Sequence, residues 1–372
     1  MEFTLHHKIL LSAFVIAAIM GAVANKTSFC TMGAISDWIN IGDKGRLRAW
    51  LLAIAIALGG VLLLEAFGQI NLSSATFPPY RTTNFAWLRY LLGGLMFGAG
   101  MTLASGCGNK TLVRIGGGNL KSLLVLAIAS VMAYLMLWSS FYNTVFDHWL
   151  SPLTINLGSI GAKSQTLDAI LTGITGISGL HFILGGSITL GLLVYIFISA
   201  DFRASHDNLL GGTVIGLAIV AGWYLTGGPL GAEWKEWAGM TDAPPVRVQT
   251  QSFTFISAMG DGLRYLMSPS DFGLIDFGIA ALTGVIAGSF LYSVLTRQFC
   301  IEWFASAGDF VSHAIGAALM GIGGVLAMGC TIGQGITGVS TLALGSLLAL
   351  AAIIAGAAVT MKLQYWRIMG AS

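Results

Sequence analysis

Nine long apolar runs dominate the chain: Ile9–Ala24, Ala49–Phe67, Phe85–Leu103, Leu120–Trp138, His181–Ser199, Leu209–Leu225, Phe272–Leu295, Val311–Ala327 and Leu342–Met361. Runs of roughly 20 apolar residues match the hydrocarbon thickness of a bilayer. Inside lipid every backbone N–H and C=O must be satisfied within the protein, so such runs fold as helices. Composition agrees, with 55% of the 372 residues hydrophobic and 9% charged, against roughly 25% charged in soluble domains. The expectation is an all-α polytopic membrane protein with about nine transmembrane helices. Two shorter pieces, Cys30–Ile39 and Ile170–Leu180, cannot cross and read as re-entrant half-helices. No clear signal cleavage site follows the N-terminus, so the first run reads as a retained span.

One interruption constrains the chain more than the others. Met328-Gly329-Cys330-Thr331-Ile332-Gly333-Gln334-Gly335-Ile336-Thr337-Gly338 sits between two apolar runs. Glycine lets a backbone open its helical bonds and approach a ligand closely. Irregular backbone at bilayer depth survives only where protein buries it or a water-filled cavity receives it. The stretch has a partner, because Gly98–Cys107 aligns with Gly321–Cys330 with identity at both ends and at Gly100/Gly323, Leu103/Leu326, Ala104/Ala327 and Gly106/Gly329. Paired, glycine-interrupted segments in two halves point to a transporter site at a repeat interface. The competing reading is close helix packing through small residues. Packing alone, however, does not ask for a cysteine at both matched positions. A second, shorter match pairs Phe29-Cys30 with Phe299-Cys300. It disagrees with the first in spacing and in the direction of the preceding spans.

Loop charge sets an orientation. With the N-terminus outside, the inner segments hold Lys26, Lys44, Arg46, Arg48, Lys110, Arg114, Lys121, Arg203, Arg297, Lys362 and Arg367, which is 11 of the 18 Lys and Arg. Lys8, Arg81, Arg89, Lys163, Lys235, Arg247 and Arg264, the other 7 of the 18, lie outside. The spans before Cys107 and Cys330 then run in opposite senses, as an inverted repeat requires. Thr226–Asp271 becomes a long external loop, with its tryptophans near the interface.

The four cysteines, at 30, 107, 300 and 330, form no CxxC pair and have no metal spacing, so no metal or other cofactor is expected. A thiol is a weak donor and a soft acceptor. It suits a large polarisable sulfur better than a hard oxyanion. The candidate path residues are Cys107 with Gly106, Gly108, Asn109, Lys110 and Thr111, and Cys330 with Gly329, Thr331 and Gln334, joined by Cys30. Arg114 and Cys300 are further candidates. Lys110 and Arg114 also read simply as positive-inside residues. Glu65 and Glu302 read as structural, and Asp276 is the best placed acid for proton coupling. No chain of carboxylates and histidines is visible.

The Gly-Cys-Gly and Gly-Cys-Thr segments, with Ser28-Phe29-Cys30-Thr31-Met32-Gly33-Ala34, resemble those of the YeeE/YedE family of bacterial inner-membrane proteins. The resemblance covers most of the chain. It implies an hourglass-shaped protein of nine spans and additional half-helices, importing thiosulfate handed between thiols by S–H···S contacts. The family's key cysteines carry over to Cys30, Cys107 and Cys330, and Cys300 lies outside the pattern. A cytoplasmic TusA-like sulfur carrier is an implied partner, besides the substrate anion and membrane lipid. The chain is thus expected to be one transmembrane transport domain over 1–372, with pseudo-repeat halves of roughly 1–140 and 200–372. It is expected to be a transporter in the inner membrane, not an enzyme, and no basic cluster suggests nucleic acid. A selenium-compound permease remains an alternative, since selenium is also soft. A membrane thiol oxidoreductase is a weaker one, since it would want a closely spaced redox pair.

Overall fold

The structure is a computed structural model that describes residues 5–72, 76–177, 179–242 and 244–370. It begins with α1 (Leu5–Lys26), a short α2 (Thr31–Ser36) and α3 (Gly45–Ala66). A loop bearing the two-residue strands β1 (Thr76–Phe77) and β2 (Asn84–Phe85) leads to α4 (Trp87–Leu103), α5 (Gly108–Gly116) and α6 (Leu120–Trp138). The middle holds a single helical turn α7 (His148–Leu150), strand β3 (Ile155–Asn156), α8 (Leu167–Thr175), α9 (Leu180–Phe197) and α10 (Ala200–Ala204). Then come α11 (His206–Gly227), α12 (Pro229–Gly239), strand β4 (Thr250–Gln251), α13 (Ile256–Met267), α14 (Phe277–Leu295), α15 (Ala307–Leu326) and α16 (Leu344–Gly370). Among the described residues, nine helices are long and apolar enough to cross a membrane, each at one of the nine apolar runs. The protein is an all-α polytopic membrane protein. The pairings of β1 with β4 and of β2 with β3 are two residues long and only tie loops together.

Glycine sets the helix contacts. A Cβ on Gly316 would stand 2.6 Å from the Ala104 nitrogen, and one on Gly323 would stand 2.6 Å from that of Phe97. Gly93 and Gly100 on α4 meet α15 backbone in the same way. Residues 93 to 104 therefore pair with 327 down to 316, and α4 and α15 run antiparallel. Gly98 faces Ile353 and Ala357 while Gly94 faces Ala349 and Ala352, so α4 and α16 run parallel. Gly284 and Gly288 meet Phe14 and Ala18, which makes α1 and α14 parallel as well. Without a hydrophobic gain between helices in lipid, close backbone approach is the main attraction available. Gly98, Gly100, Gly321 and Gly323 of the repeated pattern thus serve packing, and α4 and α15 stay helical through them. The break comes only at Ser105 and Met328.

Helix ends fall into two groups. At one face, His6 Nε2 lies 3.2 Å from the Ile275 carbonyl and Trp138 Nε1 donates to Asp261 at 3.0 Å. At the other, Asn25 Nδ2 donates to Ser293 Oγ at 2.8 Å and Lys121 pairs with Asp309 at 3.0 Å. We call these the first and second faces, after the start and end of α1.

The segment 226–271, expected as a long external loop, is partly helical and partly buried. It contains α12 and α13, and its Gln251–Ile256 stretch is buried against α11 and the Cys330 segment. Ser252 Oγ donates to the Ile219 carbonyl at 2.8 Å, and Thr337 Oγ1 donates to that of Phe253 at 2.7 Å. Alternating Phe with Ser, Thr and Gln dilutes the hydropathy signal, yet Gln251 and Ser252 both find partners inside the protein. The expected half-helices are α8 and α2, the latter continuing as a wider turn over Asp37–Ile41.

Candidate functional site

Three cysteines occupy the same local geometry. α1 ends at Ser28, whose φ is 50°; α4 at Ser105, φ 58°; α15 at Met328, φ 58°. In each case the next N–H reaches five residues back: Phe29 to the Ala24 carbonyl at 3.1 Å, Gly106 to Met101 at 2.9 Å, Gly329 to Gly324 at 2.8 Å. This is the left-handed close of a helix. The residue after it is Cys30, Cys107 or Cys330, and each starts a new helical segment. Cys30 caps α2, its sulfur accepting from the Gly33 N–H at 3.4 Å. Cys107 caps α5, with its carbonyl taking the Thr111 N–H at 2.9 Å. Cys330 accepts from the Gly333 N–H at 3.5 Å, opening a wide helical turn over Gly333–Gly338.

At a non-glycine residue the same closure appears again at Arg297, φ 58°, with Gln298 N bonded to the Ser293 carbonyl at 2.8 Å. Here the residue equivalent to the cysteines is Phe299. Cys300 falls one position late and is exposed. The Phe29-Cys30/Phe299-Cys300 match is therefore out of frame. A one-residue shift past a helix end points a side chain elsewhere, so the repeated dipeptide carries no shared geometry.

The three capping thiols lie inside the protein. Cys107 and Cys330 are 1% and 0% exposed, and Cys30 is 8% exposed. The Cys30 and Cys107 thiols interact with one another, and Cys107 also faces Thr331, the residue after Cys330. Tyr80 lies beside Cys330, and its hydroxyl donates to the Gly333 carbonyl at 2.6 Å. Burial pushes the Tyr80 phenol well above its usual range, so it stays a donor. Cys330 follows α15 at its first-face end, and Cys30 follows α1 at its second-face end. Cys107 follows α4, also at its second-face end, and faces both Cys30 and Thr331. A void the size of about one water, lined by Thr27, Cys30, Arg46, Trp50, Asp207 and Asn208 among others, lies on the Cys30 side.

Buried polar atoms without a hydrogen-bond partner collect here: Thr331 Oγ1, Asn109 Oδ1, Gln334 Oε1, Thr254 Oγ1, Trp50 Nε1 and Ser346 Oγ. Such groups are costly to bury unpaired. Thr254 abuts Gly333, Ser346 abuts Gly338, and the Trp50 ring lies 2.6 Å from where a Gly335 Cβ would stand. The hydroxyls of Thr331, Thr254 and Ser346 and the Trp50 indole N–H are unused donors that a passing anion can satisfy, whereas the Asn109 and Gln334 amide oxygens are acceptors.

The remaining sequence candidates divide. Gln334 Nε2 donates to the Ala327 carbonyl at 2.6 Å and ties the Cys330 loop to the end of α15. Thr111 Oγ1 is used on the Cys107 carbonyl at 3.1 Å, while Gly108 and Thr111 border a small void against Met259. Gly106 packs on the Lys110 stem, and Lys110 lies within electrostatic reach of Cys30 and Cys107. Arg114 instead donates to the Ser105 carbonyl at 2.8 Å, which clamps the turn. Trp50, Tyr80, Thr254 and Ser346 were not legible as site residues, since nothing in their local sequence marks them.

Two acidic features depart from expectation. Asp276 caps α14 and pairs with Arg247 at 3.2 Å, which makes it a structural acid. A histidine–carboxylate chain does exist: His181 Nε2 lies 3.0 Å from Glu65 and its Nδ1 lies 3.1 Å from Asp168, with Arg81 on Glu65 at 2.5 Å. Residues far apart in sequence build it, so no motif announces it. These groups line a cavity of about 560 Å³ that contains no cysteine.

The family described as Sulphur transport matches residues 26–359. The thiosulfate transporter TsuA of Escherichia coli (strain K12) is 24% identical over 336 residues, covering 88% of this chain and 86% of that protein. The thiosulfate transporter TsuA of Spirochaeta thermophila is 22% identical over 349 residues, covering 91% of this chain and 94% of that protein.

Proposed function

Because the chain belongs to the Sulphur transport family, and is thus a membrane transporter rather than an enzyme, we propose that it is an inner-membrane permease importing thiosulfate past Cys330, Cys107 and Cys30 in turn. The observation that carries this reading is the triplicate cap, which presents three buried thiols between the two faces. At Cys30 and Cys330 the sulfur already accepts a backbone N–H. The thiol proton is therefore free to be given to a ligand. The terminal sulfur of thiosulfate is a large, soft acceptor that takes such a contact well, while its oxygens meet the hydroxyls of Thr331, Thr254 and Ser346. The helix starts at Cys107 and Cys330 add positive ends toward the anion. Each contact is weak, and weak successive contacts let a small anion leave as readily as it enters.

The charge distribution supports a first face outside and a cytoplasmic C-terminal end. The opposed α4 and α15 support an inverted repeat of halves near 1–140 and 200–372. Delivery to a cytoplasmic TusA-like sulfur carrier fits this direction of transport. The names of the two relatives favour thiosulfate over a selenium compound.

The test is uptake of ³⁵S-thiosulfate into cells or proteoliposomes, with sulfate as competitor. Uptake that sulfate blocks no better than an unrelated anion supports the soft-sulfur reading. Sulfate as effective as thiosulfate contradicts it, because sulfate differs only by oxygen in place of the terminal sulfur.

A further inference from the structure

We propose that a cavity of about 230 Å³ on the first face is the loading site for the anion, with Arg89 as the residue that holds it. This rests on the permease reading and adds a place and a cation to it. The cavity is walled by Phe77, Pro78, Pro79, Ile256, Val325 and Met328, together with Arg89, Leu137, Ser257 and Gly324. Its volume equals roughly eight waters at about 30 Å³ each. That is room for a small tetrahedral anion with part of its hydration shell.

Charge singles the cavity out. Arg89 is the sole charged residue lining it. Of the other arginines of this face, Arg81 pairs with Glu65 and Arg247 with Asp261 and Asp276, while Arg264 stacks over the Trp138 ring and does not line the cavity. Arg89 forms no ion pair among the described residues. Its guanidinium lies 5.0 Å from the Tyr142 ring centroid, and its Nε–H is buried without a hydrogen-bond acceptor. Arg89 is half-buried, and a cation without a carboxylate partner beside an apolar wall is favourably completed by an anion. The start of α13 adds free N–H groups at Ile256 and Ser257, beside the Ser257 hydroxyl.

Position supplies the second argument. The floor, Gly324, Val325 and Met328, is the last turn of α15 and the residue that closes it. Cys330 follows Met328 by two residues. The Met328 sulfur is held by the Tyr90 hydroxyl at 3.7 Å, and Pro79 precedes Tyr80, which bonds the Gly333 carbonyl. An anion bound at Arg89 is thus separated from the first thiol by the Met328 side chain and its turn. In the wide 560 Å³ cavity Arg81 and His181 are matched by Glu65 and Asp168, and although Lys163 also lines it, none of its lining residues belongs to the end of α15 that leads to Cys330.

The experiment is ³⁵S-thiosulfate uptake in proteoliposomes across substrate concentration, for the wild type, Arg89→Gln, Arg89→Lys and Ser257→Phe, with melting in detergent as the folding control. R89Q is expected to raise KM about tenfold with saturating uptake largely kept, since tenfold is the scale of one lost charged contact. R89K, which keeps charge without the planar fork, should be intermediate. S257F fills the cavity from another wall and should raise KM independently. An unchanged KM in either folded R89Q or S257F overturns the loading site while leaving thiosulfate transport standing. A fall in saturating uptake at constant KM likewise overturns it. No thiosulfate uptake in the wild type sinks the permease reading and this one together.

Discussion

The Gly333 N–H points at Cys330 Sγ from 3.5 Å, and the Gly33 N–H stands in the same i to i+3 relation to Cys30 Sγ at 3.4 Å. A thiol held this way is oriented by the helix it caps. Its lone pair is spent on the backbone and its proton is left to face the interior.

Replacing Cys330 or Cys107 by Ala should lower thiosulfate uptake about tenfold or more, the equivalent of roughly 1.4 kcal/mol. Serine should rescue neither. Its oxygen can still cap the helix but is a poor match for a soft sulfur. Melting temperatures near wild type, measured alongside uptake, separate the transport defect from misfolding. Wild-type uptake in both Ala variants would remove the thiols from the mechanism.

Cys300 behaves oppositely. It is exposed and out of frame with the capping cysteines. A polar maleimide should label it within minutes, whereas Cys107 and Cys330 should label slowly. Cys300→Ala should transport normally. Mass spectrometry of the labelled peptides decides this, and rapid labelling of Cys330 would contradict its burial.

Gly316→Ala should impair both folding and transport. The added Cβ would stand 2.6 Å from the Ala104 nitrogen and 2.7 Å from the Gly100 carbonyl, neither of which can swing aside. Overpacking of this kind costs about 1–3 kcal/mol. Because it pushes α15 off the end of α4, uptake should fall even where the protein still inserts. Gly262, with nothing near its would-be Cβ, is the matched control.

Asp276 gives a pH prediction with a definite sign. Burial, and then the neighbouring Asp261, push its carboxyl up to about 6. The ordinary value is about 3.9. The folded protein therefore holds this proton more tightly than the unfolded chain. Its ionisation penalty is fully present above pH about 6 and is relieved as pH falls toward about 4. Asp276→Asn can still cap α14 but escapes the penalty. It should raise the melting temperature at pH 7.5, through a stability gain of about 3 kcal/mol at most, with the gain shrinking as pH falls through 6. A gain independent of pH would refute this assignment.

The sequence by itself determined the spans and the break points. Hydropathy is a local property summed along a run, and nine runs became nine helices because lipid leaves the backbone no other way to be satisfied. The repeated Gly-x-Gly-x-x-Leu-Ala-x-Gly-Cys pattern marked both α4 and α15, and loop charge ordered them in opposite senses. Tertiary structure decided what those marks meant. Gly100 and Gly323 proved to be contact points between α4 and α15, Gly98 and Gly321 contact points with α16 and α6, and the cysteines proved to be caps two residues past a left-handed turn. It also decided the frame that separates Cys300 from Cys30. Only packing brought Thr254 against Gly333, Trp50 against Gly335, and Arg89 to a cavity ending at Met328. The physical reason is range: helix formation and charge bias act over a few neighbouring residues, whereas a path is made by the register of helices hundreds of residues apart, fixed by which small residues let two backbones touch.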